Sequence, residues 1–400
     1  MTAYILDWLN LLVRWFHLTA GIAWIGASFY FVWLDNHLTP PLKSEDAANG
    51  VSGELWSVHG GGFYHNQKYL TGPTSEPLTH DLHWFKWEAY STWLSGMAML
   101  AIIYWAGAST FLIDKSVLDL TPAVAIEISI ASIVIGWFVY DALCRDLFTR
   151  PLLLGAVIYG LLVAASYALF HIFGARAAYI HVGSIIGTIM VANVLFIIIP
   201  GQQKMLAQIR AGEKPDPLPG VLGKVRSVHN TYFTLPVLFI MISNHYPMTY
   251  SGPYGWLVLA VLGAAGVCVR LFFVRSHKGK ILPILLVAAA ALIVAVAVAL
   301  APRTPAPQTA NTWGVPFATI QPIVAQRCAV CHAAHPTQAG FATAPQGVML
   351  DTPERIVQAS ARIQQQAIAT HAMPLGNITK MTDSERATLG QWIAQGAHIP

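Results

Sequence analysis

Long apolar runs dominate the first 300 residues of the chain. Eight of them approach 20 residues, at 9–34, 89–108, 123–143, 151–170, 177–199, 231–246, 254–274 and 281–300. An α-helix of about 20 apolar residues spans the roughly 30 Å of hydrocarbon in a bilayer, so the pattern predicts eight transmembrane helices. Pro236, Asn244 and His245 interrupt the run at 231–246. A broken helix is tolerated in a membrane where protein surrounds it.

The hydrophobic pattern changes abruptly after these runs. Residues 301–312 are Pro-rich, which favours an extended, semi-rigid linker. Residues 313–400 then show shorter helical patterns. The last of these, at 383–395, follows a Thr-Asp-Ser-Glu capping sequence at 382–385. The sequence therefore predicts an all-α protein, in which a polytopic eight-helix transmembrane bundle at 1–300 is joined by the linker to a small C-terminal domain.

Composition and charge support a membrane protein and predict its orientation. Hydrophobic residues make up 55% of the chain and charged residues only 10%, whereas soluble domains have about 25% charged residues. Lys and Arg collect in cytoplasmic loops. The connections after spans two, four and six, with their flanks, hold only two such residues, Lys115 and Arg176. The connections after spans one, three, five and seven, with their flanks, hold fourteen: Lys43, Lys68, Lys86, Arg145, Arg150, Lys204, Arg210, Lys214, Lys224, Arg226, Arg270, Arg275, Lys278 and Lys280. This asymmetry predicts a multi-pass protein of the bacterial inner membrane, with both termini and the C-terminal domain in the periplasm.

The C-terminal domain carries the most specific motif, Cys328-Ala329-Val330-Cys331-His332. Cys-x-x-Cys-His is the spacing with which two thiols attach haem c while the histidine binds its iron. Met373 would supply the second axial ligand of a small class I-like cytochrome c. Two alternatives are a zinc site completed by His335 and a thiol redox pair. Neither alternative has a use for the distant Met-Pro pair.

Ionisable groups inside the spans are expensive and mark candidate functional positions. Arg14, His17, Gly21, Trp24 and Ser28 follow helical steps of three and four residues and share one face. The same spacing recurs in span five: His181, Ser184 and Thr188. In span three, Glu127 and Asp141 also fall on similar sides of the helix. These positions predict a polar interior of the bundle. Paired histidines can hold b-type haem, and His17 and His181 are the candidates.

The first cytoplasmic connection, at about 36–88, has an unusual content. It holds three consecutive glycines, Gly60 to Gly62, among aromatic and histidine residues. Glycines permit close approach of the backbone, and aromatic rings with cations suit a planar anion. Candidate catalytic residues here are His59, His65, Lys68, His83 and Glu88, with Arg14 and Glu127 deeper in the bundle. An interfacial aromatic belt is the alternative.

Together these segments resemble a known family. The resemblance rests on RWFH at 14–17, GIAWIG at 21–26, LWSVHGGGFY at 55–64, HWFKWEAY at 83–90 and CAVCH at 328–332. It is to the bacterial membrane-bound urate hydroxylases fused to a C-terminal cytochrome c domain, and it covers essentially the full length.

The resemblance implies oxidation of urate to 5-hydroxyisourate without peroxide formation. Electrons would pass to haem c and then to a downstream cytochrome c or terminal oxidase. One rival interpretation is a quinol-oxidising membrane cytochrome that serves a soluble acceptor. Another is a haem-tailed transporter or sensor in which Glu127, Asp141 and His181 form a proton path. The net charge of +4 comes mainly from the cytoplasmic loops and does not indicate nucleic-acid binding.

Overall fold

The computed structural model describes residues 2–74, 78, 81–301 and 314–399. The predicted linker lies, except for its first residue, outside the described residues. The chain is mostly helical, and its long helices follow the apolar runs in order: α1 (Thr2–His37), α3 (Trp87–Met99), α4 (Pro122–Leu147), α5 (Pro151–Phe170), α6 (Ala175–Ala192), α7 (Ile199–Arg210), α8 (Leu218–Ser243), α9 (Gly255–Ser276) and α10 (Ile284–Ala299). A short α2 (Ser44–Ala48) follows α1.

Five helical segments of the described chain are long and apolar enough to cross a membrane: Trp8–His37, Pro122–Leu147, Pro151–Phe170, Ala175–Arg210 and Gly255–Ser276. Ile284–Ala299 is apolar but shorter. These segments agree with a membrane protein. The total of eight spans and their orientation stay predictions. One expectation is corrected: α8 runs without a break through Pro236.

Two of the long helices contain π-helical insertions, which occur often at functional sites. Helix α3 continues through π-helical Leu100–Trp105 and Ala108–Leu112, and α6 joins α7 through Asn193–Ile198. Helix α6 is the centre of the bundle, because it packs against α3, α4, α5, α8 and α9 and buries most of its side chains. Polar side chains on α6 are therefore held inside protein.

The connection between α1 and α3 corrects the all-α prediction. It forms an antiparallel hairpin of β1 (Val51–His59) and β2 (Gly62–Tyr69). Gly60 and Gly61 make the two-residue turn, with φ of 59° and 82°. Positive φ at both positions is what a type I′ hairpin turn requires. Gly60 and Gly61 thus have a structural role in this fold.

The C-terminal unit has its own apolar core. It contains α11 (Phe317–Val324), α12 (Pro353–Gln358), α13 (Ser360–Ile363) and α14 (Asp383–Ala394). Side chains from these helices, Ile320 and Trp392 among them, form one buried cluster. The predicted cap of the last helix is confirmed, because Thr382 and Glu385 form a reciprocal capping box.

Candidate functional site

A cavity of about 730 Å³ lies between α1, α3, α6 and α8. Most of its wall is apolar. The polar and aromatic side chains that line it are Arg14, His17, Trp24, Thr92, Trp93, Tyr104, Arg176, Ser184, Thr188, Thr234, Phe239, Asn244 and His245. Such a volume accommodates a small planar molecule, and a mainly apolar wall with a few polar groups is typical of ligand sites.

The predicted polar face of α1 forms one side of this cavity. Arg14, His17, Gly21 and Trp24 all line it, whereas Ser28 does not. The side chain of His17 is partly buried against α3. The helical spacing was therefore a correct guide to the wall of the cavity.

His17 is held in one tautomer. Its Nδ1 lies 2.9 Å from the carbonyl oxygen of Thr92 and 3.0 Å from Oγ of Ser95. A carbonyl oxygen only accepts, so Nδ1 carries the proton and donates it. The hydroxyl of Ser95 donates to the carbonyl of Ser91 at 2.6 Å and is free to accept. Nε2 of His17 therefore keeps its lone pair, as a proton acceptor or a metal ligand requires.

The ring of His17 also depends on a glycine. A Cβ placed on Gly96 would lie 3.1 Å from Cε1 of His17, which is closer than ordinary carbon contacts. The backbone of α3 thus provides both the hydrogen-bond acceptor and the space that fix this ring.

Two guanidinium groups meet at the cavity. Arg14 is anchored by a 3.1 Å bond from Nη2 to Oδ1 of Asn10, and Arg176 by a 3.0 Å bond from Nε to Oδ1 of Asn244. The two positive charges are near enough to interact. Like charges that both face one cavity favour an anion between them.

The aromatic wall lies on α1 and α3. Trp24 and Trp93 both line the cavity, and Nε1 of Trp93 donates to Oγ1 of Thr188 at 3.0 Å. This bond satisfies the indole N–H and fixes the ring, which is what a buried tryptophan needs. Flat rings held in this way suit a planar ligand.

The spacing of Ser184 and Thr188 identified part of the wall that α6 forms, but Arg176 and the contribution of α8 were not predicted. Arg176, Ile180, Ser184 and Gly187 recur at helical spacing and line the cavity, so Arg176 belongs to the face already noted for Ser184 and Thr188. That spacing was an available signal. No comparable pattern marks His245, which lies after the end of α8.

The membrane part of the chain matches a known family. The family model for urate oxidase N-terminal covers residues 3–301, which include every residue of the cavity. The chain belongs to the urate oxidase N-terminal family. Neither the curated proteins nor the solved structures compared with the chain gave a match. Family membership supports an oxidoreductase with a urate-related function, which confirms the expected resemblance at that coarser level.

Within this urate oxidase family chain, the predicted catalytic residues of the loop do not converge on the cavity. His65 stacks on Trp56 with ring centroids 4.3 Å apart and pairs with Glu54 at 3.0 Å. The N–H of Leu42 and the side chain of His65 hold the pKa of Glu54 below its usual range. These contacts stabilise the hairpin.

The other loop candidates are also separate from one another. Lys68 pairs with Asp35 at 2.5 Å and fastens the hairpin to α1, and His59 is exposed beside the turn. His83 lines a different cleft, which is built by residues 81–86 and α7. Glu88 lies in the first turn of α3. Of the seven candidate catalytic residues, only Arg14 lines the cavity.

The predicted polar interior is corrected at one of its two acidic positions on α4. Glu127 is exposed on α4. Asp141 is buried, but Arg226 pairs with it at 2.6 Å. No continuous path from Glu127 through Asp141 to His181 follows from this arrangement.

The predicted pair of b-haem ligands does not fit either. His181 is fully buried, with Nε2 at 2.6 Å from Oγ of Ser129 and Nδ1 at 2.7 Å from the carbonyl of Ala177. Both ring nitrogens are used, so His181 has no lone pair to offer an iron atom in this conformation. His17 lines the cavity and His181 does not.

The C-terminal unit lies beyond the family match, and its Cys-x-x-Cys-His residues fit haem c. Cys328 and Cys331 are not in disulfides. Nδ1 of His332 donates to the carbonyl of Val348 at 2.9 Å, which leaves Nε2 for iron, as in most iron-binding histidines. Cys328 and Met373 pack against the same apolar cluster. The described residues contain no group of three His, Cys, Asp or Glu side chains placed to hold a metal, which disfavours the zinc alternative.

Proposed function

We propose that the chain is a membrane-bound urate hydroxylase that oxidises urate to 5-hydroxyisourate and delivers the electrons to its C-terminal unit. The observation that carries this proposal is the cavity, in which two arginines and a histidine with an unprotonated Nε2 meet aromatic rings in a chain of the urate oxidase N-terminal family. The site differs from the one expected from the loop residues.

Binding follows from charge and shape. Urate is a planar purine that is largely a monoanion near neutral pH. Arg14 and Arg176 would pair with its charge, and Trp24 and Trp93 would provide flat apolar surfaces for its rings. The apolar wall excludes water from the rest of the cavity and thereby strengthens these interactions.

In the proposed reaction, urate and one water molecule give 5-hydroxyisourate, two protons and two electrons. The new bond joins the water oxygen to C5 of urate. Nε2 of His17 would accept one of the protons, and the hydrogen bond from Nδ1 to Thr92 orients it for this role. The electrons must leave the cavity, because no peroxide is formed.

The C-terminal unit would receive the electrons. Cys328 and Cys331 would hold haem c covalently, and His332 and Met373 would bind its iron. Bound there, haem c supplies a one-electron acceptor that a downstream cytochrome c or terminal oxidase reoxidises. We place this unit and both termini in the periplasm, in agreement with the predicted charge asymmetry. Arg14 and Arg176 lie near the predicted periplasmic ends of their helices, so the cavity would open to the same side.

An anaerobic titration of the purified full-length protein with urate tests the proposal. We expect the reduced haem c bands to rise with two electron equivalents per urate, and a pyridine haemochrome assay to show haem c alone. Oxonate, a planar anionic purine mimic, would serve as the competitor. Failure of urate to reduce the protein, combined with rapid reduction by a quinol, would establish the rival quinol-oxidising function.

Replacing Met373 with Ala should lower the midpoint potential of the haem. A thioether ligand opposite histidine favours ferrous iron and raises the potential, so its loss favours the ferric state. The covalent attachment through Cys328 and Cys331 should remain, as judged by haem staining of a denaturing gel. Met381→Ala is the matched control, because Met381 is buried in the same core. An unchanged potential in the Met373 variant would reject Met373 as a ligand.

The stability of the C-terminal unit should fall at acid pH through Glu385. Burial alone would raise the pKa of Glu385, but hydrogen bonds from the N–H of Thr382 and from Arg327 outweigh it and lower the pKa from 4.5. The pKa of Glu385 is lower in the folded protein than in the unfolded chain. The stabilisation that its carboxylate provides is therefore complete above pH 4.5 and is lost as the pH falls through the folded pKa.

This pH dependence can be measured by thermal unfolding, followed by circular dichroism of the haem between pH 3 and 6. Glu385→Gln should have a lower midpoint at pH 6 and a flatter acid dependence. Glu354→Gln is the control, because Glu354 has no ion pair among those formed by the described residues. An equally steep dependence in Glu385→Gln would contradict the assignment.

A further inference from the structure

The C-terminal unit touches the membrane part at one described place. The ring of Phe341 lies 6.2 Å from that of Phe111, with an angle of 52° between them. Nearby, Leu375–Asn377 packs against the π-helical turn Ala108–Leu112. Gly376 is seated so closely that a Cβ there would lie 3.2 Å from the carbonyl oxygen of Ile113.

Each side of this contact is close in sequence to a site described above. On the membrane side, α3 and its π-helical extension line the cavity with Met99, Leu100, Ile103 and Tyr104. Phe111 follows Tyr104 by seven residues, which is roughly 10 Å along a helix. On the other side, Gly376 follows Met373 by three residues, and Nη1 of Arg386 holds the carbonyl of Met373 at 2.7 Å. The contact therefore connects the wall of the cavity to the segment of the predicted iron ligand.

The contact is apolar. The described residues form no salt bridge between 2–301 and 314–399. The rings of Phe111 and Phe341 and the close approach of Gly376 to the carbonyl oxygen of Ile113 fit the two surfaces together without charged groups. Docking of this kind is insensitive to salt, in contrast to the electrostatic docking of separate redox partners.

We propose that the contact of Phe341 and Leu375–Asn377 with the end of α3 is the docking surface through which the C-terminal unit takes electrons from the cavity. This inference rests on the proposed urate oxidation. Haem c, held by Cys328, Cys331, His332 and Met373, would accept one electron at a time, and the external acceptor would remove the first electron before the second leaves the cavity. The cavity residues would therefore hold the substrate in a one-electron oxidised state between the two transfers.

A charge placed in the contact tests its role in electron transfer. Phe341→Glu should slow haem reduction by urate in anaerobic stopped flow about tenfold, because an apolar contact does not hold an unpaired carboxylate. Its midpoint potential and its reduction by ascorbate should equal those of the parent. Ala342→Glu, an exposed neighbour with the same added charge, is the control. The parent rate should change by less than about twofold between low and high salt.

Cross-linking tests the docking without turnover. A protease site is inserted within 302–313, and Cys144 and Cys268 are replaced by Ser. Phe111→Cys combined with Phe341→Cys should be joined by a short bis-maleimide, so that the two fragments stay together on a denaturing gel after cleavage. Phe138→Cys with Phe341→Cys is the control, because Phe138 is exposed on α4.

The outcomes separate the two proposals. Absence of the Phe111 to Phe341 cross-link, or an unaltered urate-dependent rate in Phe341→Glu, overturns the docking surface. If urate does not reduce the haem of the parent protein, the proposed function fails, while the cross-link still reports whether the surfaces meet.

Discussion

Replacing His17 with Asn should lower kcat for urate by a factor of about 10² to 10⁴, the usual contribution of a positioned general base. The amide N–H of Asn can still donate to the carbonyl of Thr92, so the local fold is preserved while the proton acceptor is lost. KM should change little, because the charge of urate would be bound by Arg14 and Arg176. The rate should be measured as urate-dependent haem reduction under anaerobic conditions.

His171→Asn is the matched control for this variant. The ring of His171 likewise donates from Nδ1 to a backbone carbonyl, in this case that of Tyr167 four residues earlier, at 2.8 Å, but it does not line the cavity. Its kcat should equal that of the parent. If His17→Asn keeps the parental kcat across the whole pH range, His17 is not the base.

Arg226→Met should destabilise the bundle by about 3–5 kcal/mol, because it leaves Oδ1 of the buried Asp141 carboxylate unpaired, with only the exposed Arg145 remaining on Oδ2. Nη2 of Arg226 lies 2.6 Å from Oδ1 of Asp141, and Nη1 lies 3.3 Å from Oδ1 of Asn193. Asn193 in turn donates to Asn230 and to the hydroxyl of Tyr140, both at 2.9 Å. The ion pair is thus part of a network that joins α4, α8 and the π-helical segment after α6.

Arg145→Met provides the comparison on the same carboxylate. Arg145 contacts Asp141 at 2.7 Å, but its side chain is 72% exposed, against 6% for Arg226. Exposed pairs contribute about 0–1 kcal/mol, so this variant should be nearly neutral. Stability should be measured by denaturant unfolding in detergent micelles. Adding Asp141→Asn to Arg226→Met should recover part of the loss, because it removes the unpaired charge. Equal effects of Arg145→Met and Arg226→Met would contradict the argument.

The sequence predicted much of the helical architecture, because apolar runs of about 20 residues leave few other structures open to the chain. It did not predict the hairpin, although a Gly-Gly pair between strand-like segments is a known signal. The histidines around Gly60 and Gly61 suggested a ligand site instead. The sequence also predicted an interruption at Pro236, whereas α8 continues through it to Ser243.

The candidate site was predicted in part. The spacing of Arg14, His17 and Trp24 identified one wall, because helix geometry alone places them together. The opposite wall needs the packing order of the helices. Arg176 and Arg14 are far apart in the sequence, and nothing local shows that they share a cavity. Glu127 and Asp141 fall on similar sides of α4, yet only Asp141 is covered by a neighbouring helix.

The close fit between Gly96 and His17 has a consequence for how the cavity can vary. A methyl group at residue 96 would press on the imidazole ring of His17. The side-chain sizes that fit at positions 17 and 96, which lie on different helices, therefore depend on each other. A larger residue at 96 becomes acceptable only when residue 17 becomes smaller, and the proton acceptor would be lost in that exchange. Reshaping the cavity must therefore begin elsewhere on its wall, at Gly187 of α6, which also lines it and where an added Cβ would meet no atom within 4 Å.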